Sequence, residues 1–86
     1  MNIYVGNLDF KVKEHDLKKL FEDFGEVSAA KIITDKYNGT SKGFGFVTMD
    51  EKDEAQKAID ELNGTNFQDR DIVVNEARPK KTSFYN

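Results

Sequence analysis

Two hydrophobic periodicities alternate along the chain, and this alternation limits its fold more than any other feature. Short apolar runs, typical of strands, cover residues 3–5, 27–34, 44–49 and 72–74. Apolar side chains recur three and four positions apart, as on one face of a helix, in residues 17–24 and 55–62. The pattern therefore predicts the order βαββαβ.

Each predicted helix has a single apolar face, so neither can stand alone. Both can pack on the same side of a four-stranded antiparallel sheet. The predicted fold class is α+β, a ferredoxin-like βαββαβ sandwich in which two helices back the sheet. The 86 residues suffice for one domain. One sheet face is then buried under the helices, while the other is open to water and expected to be polar.

Residue counts exclude several classes of site. The chain has no cysteine and one histidine, His15, so it offers no disulfide framework and no zinc site built on thiolates or several histidines. No nucleophile has a base to activate it, and we expect no enzymatic activity, no cofactor and no bound metal. No apolar run approaches the roughly 20 residues of a membrane span. The first residues lack the features of a signal peptide, so a cytoplasmic location is expected.

Charge is distributed unevenly along the chain. The net charge of -3 counts against a nucleic-acid binder. Acidic residues concentrate in positions 50–61, however, and the predicted second helix would carry them behind the sheet. The last nine residues contain Arg78, Lys80 and Lys81 and no acid. We expect residues 1–78 to form the domain and residues 79–86 a short, basic, flexible tail, whose Phe84 and Tyr85 either fray or fold over the sheet.

The predicted open face of the sheet is aromatic rather than polar. Side chains alternate across a strand, so Lys42, Phe44, Phe46 and Thr48 share one face and the small or aliphatic residues between them share the other. The aliphatic set suits the core, which directs the phenylalanines outward. By the same reasoning Tyr4 points outward between Ile3 and Val5. Exposed apolar patches usually mark binding sites, and rings beside lysines suit unpaired nucleotides.

Two segments carry a resemblance to a known family. Ile3-Tyr4-Val5-Gly6-Asn7-Leu8 resembles the hexamer of the RNA-recognition motif, and Lys42-Gly43-Phe44-Gly45-Phe46-Val47-Thr48-Met49 resembles its octamer. The resemblance covers about residues 2–78 and extends to small single-motif RNA-binding proteins of bacteria. Met49 departs from the usual aromatic at the last octamer position, which faces the core.

The resemblance implies a role for each residue on the open face. Phe44 and Tyr4 are expected to stack on successive bases and Phe46 to pack against the sugars, while Lys42 pairs with a phosphate. The strand parities add Lys31, Ile33 and Asn2 to this face. In the last strand, Ile72 and Val74 suit the core, which leaves Val73 and Asn75 outward. The remaining predicted RNA contacts line the edge, partly through backbone groups: Asn75, Glu76, Ala77 and Arg78.

The implied function is binding of short single-stranded RNA segments with modest affinity, in post-transcriptional regulation or RNA remodelling. Single-stranded DNA should also bind, because stacking does not depend on the 2′-hydroxyl group. We expect a monomer without a membrane partner. Two alternatives remain: the aromatic residues belong to an ordinary core, or the fold serves protein interactions, docking partners through its acidic helix.

Overall fold

The computed structural model describes residues 1–77, which form six strands and two helices. The helices are α1 Glu14–Glu22 and α2 Lys52–Leu62. The strands are β1 Asn2–Gly6, β2 Ala29–Thr34, β3 Ser41–Thr48, β4 Asn66–Phe67, β5 Arg70–Asp71 and β6 Val73–Glu76.

Four of the strands form one antiparallel sheet in the order β2-β3-β1-β6. The central strand β1 places Tyr4 opposite Phe46 of β3 on one side and opposite Asn75 of β6 on the other. Both helices pack against this sheet through buried side chains, among which Phe21 of α1 is the largest. The predicted ferredoxin-like α+β fold is therefore confirmed, and its hydrophobic core lies between the helices and one face of the sheet.

Helix α1 forms where apolar residues recur at helical spacing, and it buries Leu17 and Phe21. Lys13 is the N-cap, and its backbone N–H donates to Asp16 Oδ2 at 3.0 Å. The helix ends at Glu22, and Asp23 is its C-cap. Gly25 follows, and an added Cβ there would collide with the side chain of Glu54 on α2.

The edge of the sheet at β2 contacts the start of α1. The backbone N–H of Ile32 donates to Glu14 Oε2 at 3.2 Å. Ile32 itself is buried, whereas its neighbour Lys31 is exposed. The first turn of α1 thus fixes the middle of an edge strand through a carboxylate as well as through the core.

A short hairpin between α2 and the last strand extends the predicted order. Strand β4 pairs with β5, and the two residues between them, Gln68 and Asp69, have φ values of 49° and 69°. Such a turn normally contains Asn-Gly or Asp-Gly, and the sequence here gives no such signal. The last sheet strand begins at Val73, one residue later than predicted, while Ile72 is buried beside it.

Arg78 and the predicted tail of residues 79–86 lie outside the described residues, so the domain boundary at position 78 stays a prediction. Within residues 1–77, no helix has the length and apolar character to span a membrane.

Candidate nucleic-acid interface

The alternation of side chains along β3 decides which residues face away from the helices. Gly43, Gly45 and Val47 are buried, whereas the residues between them are partly or fully exposed. The outward set is Lys42, Phe44, Phe46 and Thr48. The predicted parity of this strand is therefore confirmed, and Met49 is fully buried on the core side.

Three aromatic side chains meet on this open face and form what we call the aromatic patch: Tyr4, Phe44 and Phe46. The ring centroids of Tyr4 and Phe44 are 5.9 Å apart, with an angle of 34° between the ring planes. Phe46 meets both rings edge-on, with centroids 5.9 Å from Tyr4 and 6.2 Å from Phe44. Contacts of this kind stabilise a defined arrangement of rings. All three side chains are half-buried, so part of each ring remains accessible.

Gly6 supports the tyrosine of the patch. It lies two residues after Tyr4 on the same strand face, and the tyrosine ring covers its backbone. A Cβ added at Gly6 would lie 2.5 Å from Tyr4 Oη and 2.9 Å from its Cε2 atom. The missing side chain thus allows the ring to lie along β1. The sequence reasoning missed this role, although the spacing of two residues was a signal for it.

The other residues predicted on β2 and β3 lie as the parity requires. Lys31 is opposite Phe46 in the β2–β3 register and is exposed, and Ile33 is half-buried. Lys42 is exposed at the start of β3. Lysines therefore flank the aromatic patch on its β2 and β3 side.

The start of β1 and the end of β6 form another border of the patch. Asn2 is exposed, and its Oδ1 accepts a hydrogen bond of 2.9 Å from Thr48 Oγ1. Asn75 is opposite Tyr4 and exposed. The N–H of Ala77 donates to the carbonyl oxygen of Asn2 at 2.9 Å, so that donor is already engaged. Arg78 lies beyond the described residues.

Glu76 differs from its predicted neighbours on β6. It is opposite Ile3, whose side chain is fully buried on the helix side. Directly opposite residues share a sheet face, so the Glu76 side chain leaves the strand away from the aromatic patch. It is nevertheless exposed at the end of the strand. Only the backbone of Glu76 is thus available to the open face.

In the described part of the chain, no carboxylate pairs with the lysines of the open face. Within residues 1–77 the ion pair is Lys18 with Glu22 at 4.0 Å, and His15 Nε2 lies 3.6 Å from Asp16 Oδ1, both on α1. The ammonium groups of Lys31 and Lys42 have no carboxylate within 4.0 Å in this part of the chain. The acidic residues of α2 lie on the helix side of the sheet. The acidic residues of α2 and the lysines of the open face therefore lie on opposite sides of the sheet, as the sequence analysis predicts.

One cavity in the described part of the chain lies away from the aromatic patch. It is lined by Phe10, Val12, Ile32 and residues of the β2–β3 loop, on the helix side of the sheet. Phe10 is 61% exposed there. Within residues 1–77, no cluster of three or more histidine, cysteine or acidic side chains is arranged to hold a metal ion.

Solved structures resemble this architecture closely. The crystal structure of RNA Binding Protein PG1 superposes with a TM-score of 0.89 and 49% identity, covering 93% of this chain and 99% of that one. A complex of Sxl-lethal protein with RNA gives a TM-score of 0.86 and 31% identity, covering 91% of this chain and 47% of that one.

Sequence comparison leads to the same group of proteins. RbpD of Nostoc sp. is 43% identical over 81 residues, which is 94% of this chain and 86% of that protein. The family model described as RNA recognition motif matches residues 3–73. This chain therefore belongs to the RNA recognition motif family.

Proposed function

We propose that the protein binds short segments of single-stranded RNA on the open face of its sheet. The observation that carries this proposal is the aromatic patch itself. Three rings pack against one another on the sheet face that neither α1 nor α2 covers, and lysines flank them. The names of the solved relatives support RNA as the ligand: one is an RNA-binding protein and another is bound to RNA.

The patch suits unpaired nucleotides for a physical reason. A base stacks on an aromatic ring when its own face is free, which excludes the interior of a duplex. In this proposal Phe44 and Tyr4 each stack on one base and Phe46 contacts the sugars. Lys42 and Lys31 interact with phosphates, and Asn2 reaches a base at the far end of β1.

The number of stacking rings sets the expected affinity and footprint. Each stacked base contributes roughly 1–3 kcal/mol by alanine substitution, and part of this gain offsets the entropy lost on association. Two or three stacks therefore lead to a dissociation constant of about 1 μM, or a free energy of about -8 kcal/mol. Single-stranded DNA is expected to bind as well, because stacking of a base on a ring does not require the 2′-hydroxyl group.

Replacing Phe44 by alanine tests the role of the patch. We expect a loss of affinity of about tenfold or more for a fluorescently labelled RNA of randomised sequence, because one stacked base loses its ring. Fluorescence polarisation at low salt measures the dissociation constants. Phe10→Ala is the matched control, since it removes an exposed phenylalanine on the helix side and should bind RNA as the wild type does.

Equal binding by the wild type and by Phe44→Ala would show that the contact is electrostatic or lies elsewhere. Failure of the wild type to bind any single-stranded RNA would overturn the proposed function.

Gly6→Ala is expected to weaken RNA binding by displacing a ring rather than by removing one. The new methyl group would overlap the Tyr4 ring, which must rotate away from the sheet. We expect a loss of about threefold to tenfold, part of the value of one stacked base. In a Tyr4→Ala background the same glycine substitution should have no further effect. An equal loss in both backgrounds would show that Gly6 acts through the backbone and not through Tyr4.

The cellular role also remains a proposal. We propose that the protein acts as a monomer in the cytoplasm, in post-transcriptional regulation or RNA remodelling, by binding rather than catalysis. Docking of protein partners through α2 stays a hypothesis. A partner captured in cells and lost on reversal of the exposed α2 charges would support that hypothesis without contradicting RNA binding.

A further inference from the structure

The sequence contains two Asn-Gly pairs, Asn38-Gly39 and Asn63-Gly64. Asparagine is one of the thermolabile residue types, and a glycine after it increases this lability. The backbone nitrogen of a glycine has no neighbouring side chain to hinder it, so it can attack the side-chain amide carbon of the preceding asparagine. The two pairs have different surroundings in the fold, and these surroundings decide which pair is able to react.

Asn38-Gly39 lies in the loop between β2 and β3, and its backbone is held from within that loop. The Gly39 N–H donates to the carbonyl oxygen of Asp35 at 3.0 Å, and the Asn38 N–H is 3.3 Å from Asp35 Oδ1. Residues 36–40 are all exposed. Local opening of such a loop requires little free energy. It therefore releases the Gly39 nitrogen while the sheet and the core stay intact.

Thr40 polarises the amide group that the Gly39 nitrogen would attack. Its backbone N–H donates to Asn38 Oδ1 at 3.1 Å, and its hydroxyl group donates to the same oxygen. Negative charge develops on this oxygen when a nitrogen adds to the carbon that carries it. Donors already directed at such an oxygen stabilise the charge as it forms. The loop thus contains both the nucleophile and an activated carbonyl group.

Asn63-Gly64 is held by residues that are distant in the sequence. The Gly64 N–H donates to the carbonyl oxygen of Ile72 at 2.8 Å, and Asn63 Oδ1 accepts a hydrogen bond of 3.0 Å from the N–H of Val74. Ile72 and Val74 are fully buried in the core. The Gly64 nitrogen becomes free only when this part of the chain separates from the last strand. Such an opening has a free energy close to that of global unfolding.

We propose that Asn38 is a site of spontaneous deamidation and that the fold protects Asn63 from the same reaction. The Gly39 nitrogen gives its proton to water and bonds to Asn38 Cγ, and the side-chain nitrogen takes up a proton and leaves as ammonia. Water then opens the resulting succinimide at one of its two C–N bonds. Opening at the side-chain carbonyl leaves aspartate, whereas opening at the backbone carbonyl leaves isoaspartate. Each product carries one additional negative charge, and water is the only co-reactant.

The added charge would affect the open face of the sheet. The loop that contains Asn38 joins the strands of Lys31 and Lys42, which flank the aromatic patch. A carboxylate at this position should lower the affinity for RNA by about twofold at low salt, a typical effect of one exposed charge in water. High salt should remove this difference. This consequence rests on the proposed function, whereas the reaction at Asn38 does not.

The experiment incubates the folded protein at neutral and mildly alkaline pH and follows it by peptide mass spectrometry. An enzymatic methylation assay detects the isoaspartate. We expect Asn38 to convert to the acid at a rate that rises with pH. Asn63 should convert at least about tenfold more slowly, because its reaction needs an opening close to global unfolding. The unfolded chain in guanidinium chloride is the matched control, and both asparagines should react there at similar rates.

Two variants test the chemistry and its consequence. Thr40→Val removes the hydroxyl donor and should slow the conversion of Asn38 by about threefold to tenfold, the value of one neutral hydrogen bond. Asn38→Asp reproduces the aspartate product and should bind RNA about twofold more weakly at low salt. Asn38→Ser, which adds no charge, is its matched control and should bind RNA as the wild type does.

The outcomes separate the modification site from the proposed function. The proposal would be overturned if Asn38 stayed intact in the folded protein but reacted in guanidinium chloride, or if Asn63 reacted as fast as Asn38 in the folded protein. An unchanged rate in Thr40→Val would contradict the activation by its hydroxyl group. Equal RNA binding by Asn38→Asp and Asn38→Ser would contradict the consequence for RNA. Absence of RNA binding by the wild type would overturn the proposed function and leave the reaction at Asn38 in place.

Discussion

Replacing Tyr4 and Phe44 together by alanine is expected to lower the affinity for single-stranded RNA by about a hundredfold or more. Each ring is proposed to stack on its own base, at roughly 1–3 kcal/mol per base. The two centroids are 5.9 Å apart, so removal of one ring also frees the other to move. Side chains in contact have coupled effects. The double substitution should therefore differ measurably from the sum of the two single ones.

The measurement is a fluorescence polarisation titration of the four proteins of a double-mutant cycle: wild type, both single variants and the double variant. A double variant at Phe10 and Tyr37 is the matched control, because it removes two aromatic side chains that are 61% and 95% exposed outside the patch. Circular dichroism should show the same fold for all of them. If the Phe10 and Tyr37 variant lost as much affinity as the patch variant, aromatic content in general, and not this patch, would explain binding.

Phe21→Ala is expected to produce the largest loss of stability, about 3–5 kcal/mol. Phe21 is fully buried between α1 and the sheet and is the largest side chain with no exposed surface. Its removal leaves a cavity that the surrounding strands cannot fill. A domain of this length has a free energy of unfolding of roughly 4–13 kcal/mol, so one substitution removes a large part of it. In urea the unfolding midpoint should decrease while the slope stays unchanged.

Phe10→Ala provides the comparison for this prediction as well. It deletes the same side chain at an exposed position, where surface substitutions usually stay within about 0.5 kcal/mol. The Phe21→Ala variant should bind RNA as the wild type does at a temperature where it remains folded. The reason is that the core and the open face lie on opposite sides of the sheet. A loss below about 1 kcal/mol for Phe21→Ala would contradict the packing described for α1.

The sheet and its open face could be predicted from the sequence because strand periodicity is strict. One register error would move Phe44 and Phe46 into the core and Val47 to the surface, so the aliphatic set decides the orientation of the whole strand. The same reasoning placed Tyr4, Lys31 and Asn75 correctly. The family resemblance added an expected role for each residue of this face, which alternation alone does not determine.

Other features depend on contacts between distant residues and could not be predicted in this way. Gly6 acts through the ring that covers it, and its two-residue spacing from Tyr4 indicates a shared strand face but not that the ring lies over the glycine. The β4–β5 hairpin turns at Gln68 and Asp69 without the usual glycine. Asn7 and Arg70 are 63 positions apart, and only the folded chain brings them together. Glu76 was assigned to the RNA side with its neighbours, although strand alternation alone directs its side chain the other way.

The hydrogen bond between the Glu14 carboxylate and the β2 backbone has a consequence for self-association. The edge of a sheet offers free N–H and C=O groups to any extended segment, and such edges are starting points for fibres. Here the N–H of Ile32, in the middle of β2, is already bound to a charged side chain. An incoming strand would have to displace this carboxylate before it could pair with the backbone of β2 at this position. The molecule can therefore keep an apolar face open for a ligand while the adjoining edge resists growth of the sheet by further copies.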